Sequence, residues 1–251
     1  MDGVLTVSFE PIPGSVDALH RLRAMSVPFK IVTNWTGMSR AALGGTLRRA
    51  GFDVADDDLL TAPIATAAYL RREHPGAKCF LLGEEGDVRA DLGGIDWVQD
   101  GADVLVVGGA DRSFGFDTMN RALRMLVVGA ALVSMHRNLS WMTAEGLALD
   151  SGAYLLGLEA ATGAKAYVTG KPSPEFFRTG LDALELPTGR VAMVGDDVES
   201  DVLAAQALGM TGVLVRTGKV LPGTVERASG HPDLVVESFA DVPDMLAAWR
   251  P

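Results

Sequence analysis

The sequence predicts an α/β fold with parallel sheet and helices on both faces, on three observations. Short β-branched apolar runs alternate with longer helical patterns along the chain. Hydrophobic residues make up 48% and charged residues 22%, the balance of a globular chain. Twenty-nine glycines beside an aromatic share of only 6% point to many turns. In order, residues 27–33 (VPFKIVT) read as a buried strand and 39–50 as the helix after it, with Ser39 at its N-cap and Gly51 as its stop. A helix over 64–72, strands over 79–82 and 104–107, a helix over 116–127 and a strand over 131–135 follow. Helices over 151–162 and 174–184, a strand over 191–194, a helix over 201–208 and a strand over 212–215 complete the series. Such alternation builds βαβ units.

With 251 residues the chain is long enough for one to two domains and needs no staples for its core. A net charge of −10 disfavours a general electrostatic grip on nucleic acid or on an anionic membrane, so neither is expected as a partner. The single Cys79 excludes an intramolecular disulfide and a Cys-rich metal site, and suits a reducing cytosol. No apolar run approaches the roughly 20 residues of a membrane-spanning helix. Met1 is followed at once by Asp2-Gly3-Val4-Leu5, without a charged leader. The expectation is a soluble, cytoplasmic protein.

Open α/β sheets bind ligands at the carboxyl ends of their strands. Four polar segments stand where that rule points or open a helix: Asp2-Gly3-Val4-Leu5, Thr33-Asn34-Trp35-Thr36-Gly37, Gly170-Lys171-Pro172-Ser173-Pro174, and Gly195-Asp196-Asp197-Val198-Glu199-Ser200-Asp201. Each alone reads as a turn, cap or solvated loop; together they are complementary. Asp196, Asp197 and Asp201 concentrate oxygen atoms suited to a hard cation such as Mg²⁺. Lys171 supplies a fixed positive charge for a phosphoryl oxygen, while the Thr33 hydroxyl and the Asn34 backbone N–H can bind another. Asp2 can protonate a leaving group. These are the parts of a phosphoryl-transfer site.

At these four ordered motifs the sequence resembles the haloacid dehalogenase superfamily of Mg²⁺-dependent phosphohydrolases. GKPSPEFF (170–177), MVGDDVESDV (193–202) and VRTGK (215–219) resemble its p-nitrophenylphosphatase-like branch. The resemblance implies a Rossmann-like parallel-sheet core, residues 1–58 and 167–251, with an α/β cap inserted over 59–166. It implies that Asp2 acts as general acid and base, that Asp2 and Asp196 hold Mg²⁺, that Lys171, Thr33 and Asn34 hold the phosphoryl group, and that Asp197 and Asp201 orient Lys171 or metal-bound water. The substrate would be a small phosphate ester or phosphoramidate, cleaved through an aspartyl-phosphate. Homodimers through the cap are a further implication.

In the family pattern the nucleophile is the first Asp of Asp-x-Asp-Gly. Asp2 matches the second, so the nucleophile would precede Met1, along with the central strand before it. A sheet lacking that strand carries a slot and two unpaired rows of backbone groups. A mis-assigned start, an omitted segment and a non-catalytic relative are the competing explanations; the retained Asp196, Asp197, Asp201, Lys171 and Thr33 favour the first. The chain as written is expected to turn over poorly. The alternative function is a phosphoester-binding or partner-binding relative without catalysis.

Beyond these motifs, His136, Arg137, Asn138 and Trp141 suggest a polar-aromatic rim on the cap, although His136 reads better as a surface residue at a strand end. His20, His74 and His231 lack metal-ligand spacing. Gly108-Gly109-Ala110 is a poor match to a dinucleotide-binding turn.

Overall fold

The computed structural model describes residues 1–83, 87–143, 146–220 and 222–248. It separates into two units: Met1–Thr33 with Ala41–Leu60 and Lys171–Pro251, and Asn34–Arg40 with Thr61–Gly170.

The second unit is built on a five-stranded parallel sheet in the order Tyr167–Val168, Ala131–Ser134, Val104–Val107, Lys78–Leu82, Asp96–Trp97. Its central strands are apolar at successive positions, as strands covered on both faces must be. Phe80, Leu82, Leu105, Val107 and Leu132 point to one side, against Ala122, Met125 and Leu126 of helix Phe116–Val127 and Leu155 and Leu158 of helix Ser151–Thr162. Cys79, Leu81, Val104, Val106 and Val133 point to the other, against Ala62, Ala67 and Leu70 of helix Ala62–Glu73. A hairpin, Ser140–Thr143 with Gly146–Leu149, leaves Leu139, Trp141, Leu147 and Leu149 exposed.

The first unit carries parallel strands in the order Ala192–Gly195, Thr211–Val215, Leu234–Val236, with Ala192–Gly195 at the edge. Strand Ile31–Thr33 pairs separately with Leu59–Thr61, and no strand among the described residues joins the two pieces. Both edges, at Ile31, Val32, Met193 and Val194, line one apolar cavity of about 200 Å³.

Several elements differ from expectation. The strand read at 27–33 is confined to Ile31–Thr33, because Pro28 has no N–H and Val27 instead closes the preceding helix by donating to Leu22. That helix, Ser15–Ala24, was not anticipated; it buries Ser15, Ala18, Leu19 and Leu22, a narrow helical stripe among charges. The helix read at 201–208 begins earlier, as a π-helical turn Val198–Leu203 that runs into Ala204–Gln206.

Candidate active site

The carboxyl end of strand Ala192–Gly195 delivers Asp196, which is 6% exposed. Asp197 then caps the π-helical turn, its Oδ1 accepting from the Ser200 N–H at 3.0 Å. The wider π-helical turn carries Asp201, also buried, to a position where its Oδ1 accepts from Lys171 Nζ at 2.7 Å.

The opening turn of the chain packs onto the same point. Gly3 donates to the Thr6 carbonyl at 2.7 Å with φ +74°, and a Cβ there would stand 2.2 Å from Asp196 Oδ2. Only glycine both adopts this backbone and permits this approach. Asp2 is exposed and its Oδ1 accepts from the Ser8 N–H at 2.9 Å. The Met1 ammonium donates to the Val32 carbonyl at 3.3 Å. Burial pulls that ammonium down to about 6, the Lys171 charge acts the same way, and Asp201, Asp196 and Asp2 oppose both. The charges of Lys171, Asp201, Asp196 and Asp2 are thus all felt at the Met1 ammonium. Thr33 is buried directly after Val32, at the carboxyl end of its strand.

Asn34 belongs with the other unit, beside Gly170, where a Cβ would come within 2.7 Å of Asn34 Oδ1. The phosphate-binding role expected of Asn34 gains no geometry from that placement.

Residues 217–219 complete the cluster, a role that the VRTGK motif did not reveal. Thr217 Oγ1 donates to the Gly3 carbonyl at 2.7 Å, the Lys219 N–H donates to Asp196 Oδ2 at 3.0 Å, and Lys219 Nζ lies 3.0 Å from Asp197 Oδ2.

Burial raises the Asp196 carboxyl above its ordinary value; the Lys219 N–H works against that, and the Asp201 charge adds to it. Burial also acts to raise Asp197, but the Ser200 and Lys219 hydrogen bonds outweigh it and hold Asp197 low. Lys219 sits above its usual value, since its bond to Asp197 and the surrounding carboxylates outweigh desolvation. Among the described residues no three His, Cys, Asp or Glu side chains form a group that could hold a metal. Magnesium needs no such cage, being held by one or two carboxylates together with water and phosphate oxygens. A buried carboxylate raised by desolvation and by a like charge fits such a cation, which would offset both.

In the second unit, His136 is corrected: it is buried at 2% exposure. The chain turns inward after the strand, with the Gly152 N–H donating to the Asn138 carbonyl, and His136 Nδ1 lies 3.5 Å from Ser151 Oγ and 3.9 Å from Asp150 Oδ2. Burial lowers its pKa against the Asp150 charge. Arg137 is committed to Glu159 through a bidentate pair at 3.0 and 2.6 Å, while Trp141 is 43% exposed.

Two family models match the chain: "Haloacid dehalogenase-like hydrolase" over residues 1–95, and "HAD-hyrolase-like" over residues 168–242. The phospholysine phosphohistidine inorganic pyrophosphate phosphatase of Rattus norvegicus is 36% identical over 237 residues, covering 94% of this chain and 86% of that protein. The haloacid dehalogenase-like hydrolase domain-containing protein 2 of Homo sapiens is 35% identical over 246 residues, covering 98% and 93%. The structure of p-nitrophenyl phosphatase from Archaeoglobus fulgidus superposes with a TM-score of 0.89 at 34% identity, covering 97% of this chain and 96% of that one.

Proposed function

The chain belongs to the haloacid dehalogenase-like hydrolases and is a phosphatase of that family, and from that premise we propose that it hydrolyses a small phosphate ester or phosphoramidate with Mg²⁺ through an aspartyl-phosphate. The observation that carries this reading is the buried Lys171–Asp201 pair beside Asp196, a carboxylate raised by its own burial. A site built only for structure gains nothing from burying three such groups at a strand end.

In this reading Asp196 and the Asp2 backbone carbonyl hold the cation, which when bound neutralises charge on the phosphoryl oxygens. Asp201 fixes the Lys171 ammonium so that it meets a phosphoryl oxygen without rearranging. Thr33 donates its hydroxyl to another oxygen. The family pattern assigns the attacking carboxylate to the aspartate two positions before Asp2. Its oxygen bonds to phosphorus as the bond to the leaving atom breaks, and Asp2 gives that atom its proton. Asp2 then takes a proton from water, whose oxygen attacks phosphorus and releases phosphate and the free carboxylate. Asp197 keeps the turn around Asp201 in place.

Residues 59–166 act as the cap that selects the substrate, and the exposed Leu139, Trp141, Leu147 and Leu149 within them support pairing with a second copy, which sedimentation equilibrium would detect.

The test uses two proteins, the 251-residue chain and one extended so that an aspartate stands two positions before Asp2. Each is mixed with p-nitrophenyl phosphate and Mg²⁺, quenched in acid and weighed by mass spectrometry. One added phosphoryl group on the new aspartate is expected. Phosphate binding without any covalent adduct would favour the non-catalytic reading.

A further inference from the structure

We propose that residues 217–219 are a positioning segment that sets the cation-holding geometry of Asp196 and the Asp2-Gly3 turn; this rests on the metal-dependent reading above. Three successive residues reach three members of the cluster from a segment more than 200 positions from Gly3 in sequence. The Thr217 hydroxyl holds the Gly3 carbonyl. Gly218, at φ +75°, lies so close that a Cβ would stand 2.3 Å from Asp196 Oδ2 and 2.6 Å from Gly3 Cα. The Lys219 N–H occupies Asp196 Oδ2, and its ammonium holds Asp197.

The arrangement fixes orientation. One Asp196 oxygen takes the Lys219 N–H, which sets the direction of the other oxygen. The Asp2-Gly3 turn has its own internal bond from Gly3 to Thr6, and Thr217 ties its carbonyl side to the loop that holds Asp196. Removing the Thr217 hydroxyl should let the turn and the carboxylate drift apart, and a cation bridging them would lose affinity. Valine matches threonine in shape but lacks the hydroxyl, whereas serine keeps it.

The experiment titrates Mg²⁺ into wild type, Thr217→Val and Thr217→Ser, following amide shifts of Gly3, Asp196 and Lys219 by NMR. Hydrogen exchange at the same amides is measured without metal. The expected result is about tenfold weaker Mg²⁺ binding in Thr217→Val, faster exchange at Gly3 in that variant, and wild-type behaviour in Thr217→Ser. Wild-type affinity with unchanged Gly3 exchange in a folded Thr217→Val protein would overturn the proposal. If wild type shows no Mg²⁺ response, the metal reading fails, and Gly3 exchange alone then decides the positioning role: faster in Thr217→Val upholds it, unchanged overturns it.

Discussion

Lys171 Nζ and Asp201 Oδ1 lie 2.7 Å apart, with side chains only 11% and 5% exposed, so each is the other's charge partner in a place water scarcely reaches. Removing one member of such a pair strands the other, at about 3–5 kcal/mol, whereas replacing both with apolar groups of similar size is often neutral. Lys171→Met is therefore expected to lose about that much stability in urea denaturation, and Lys171→Met with Asp201→Leu to regain most of it. A single variant within about 1 kcal/mol of wild type would show the pair to be solvated.

Glu159 gives a pH prediction. Its bond to Arg137 holds the carboxyl below the usual carboxylate range, burial opposes this, and the Ala166 N–H assists. A depressed pKa means stability that is present above the unfolded value and lost as pH falls through the folded one. The melting-temperature gap between wild type and Glu159→Gln should be constant above about pH 5.5 and shrink below about pH 4. A gap independent of pH would contradict the assignment.

Cys79 should resist alkylation. Burial, aided by the charges of Asp103 and Asp96, pushes its thiol up to about 11, leaving about one thiolate in a thousand at pH 8. Reaction with a disulfide reagent should be slow in the native protein and fast in urea. Equal rates in both conditions would mean that the sheet of the second unit opens readily at Cys79.

The slot in the first unit should accept a strand. Ile31–Thr33 and Ala192–Gly195 each present an edge to the same apolar cavity. A fused segment of about six β-branched residues ahead of Met1 should raise the melting temperature by at least about 5 °C and protect the amides of Val32 and Val194 from exchange. The same segment with a central proline should do neither, because proline cannot donate to a ladder.

Much of this architecture was legible because local signals were strong. The run at Val104–Val107 is apolar at every position and bounded by Asp103 and Gly108, and its limits match the prediction. Asp196, Asp197 and Asp201 stood out because polar residues follow an apolar strand. Helix Ser15–Ala24 escaped because Ala18, Leu19 and Leu22 form too narrow a stripe. The burial of His136 depends on a backbone approach at Gly152, and the Thr217–Gly3 bond spans nearly the whole sequence. Neither leaves a trace in local periodicity, since tertiary packing alone creates them.

Phosphate release from a phosphate monoester, by the protein carrying an aspartate two positions before Asp2, tests the central claim most directly when measured in Mg²⁺, in EDTA and with Asp196→Asn. The account predicts turnover in Mg²⁺ that falls at least about a hundredfold in EDTA and in Asp196→Asn. Turnover that is indifferent to both, or absent with Mg²⁺ and an intact cluster, would contradict it.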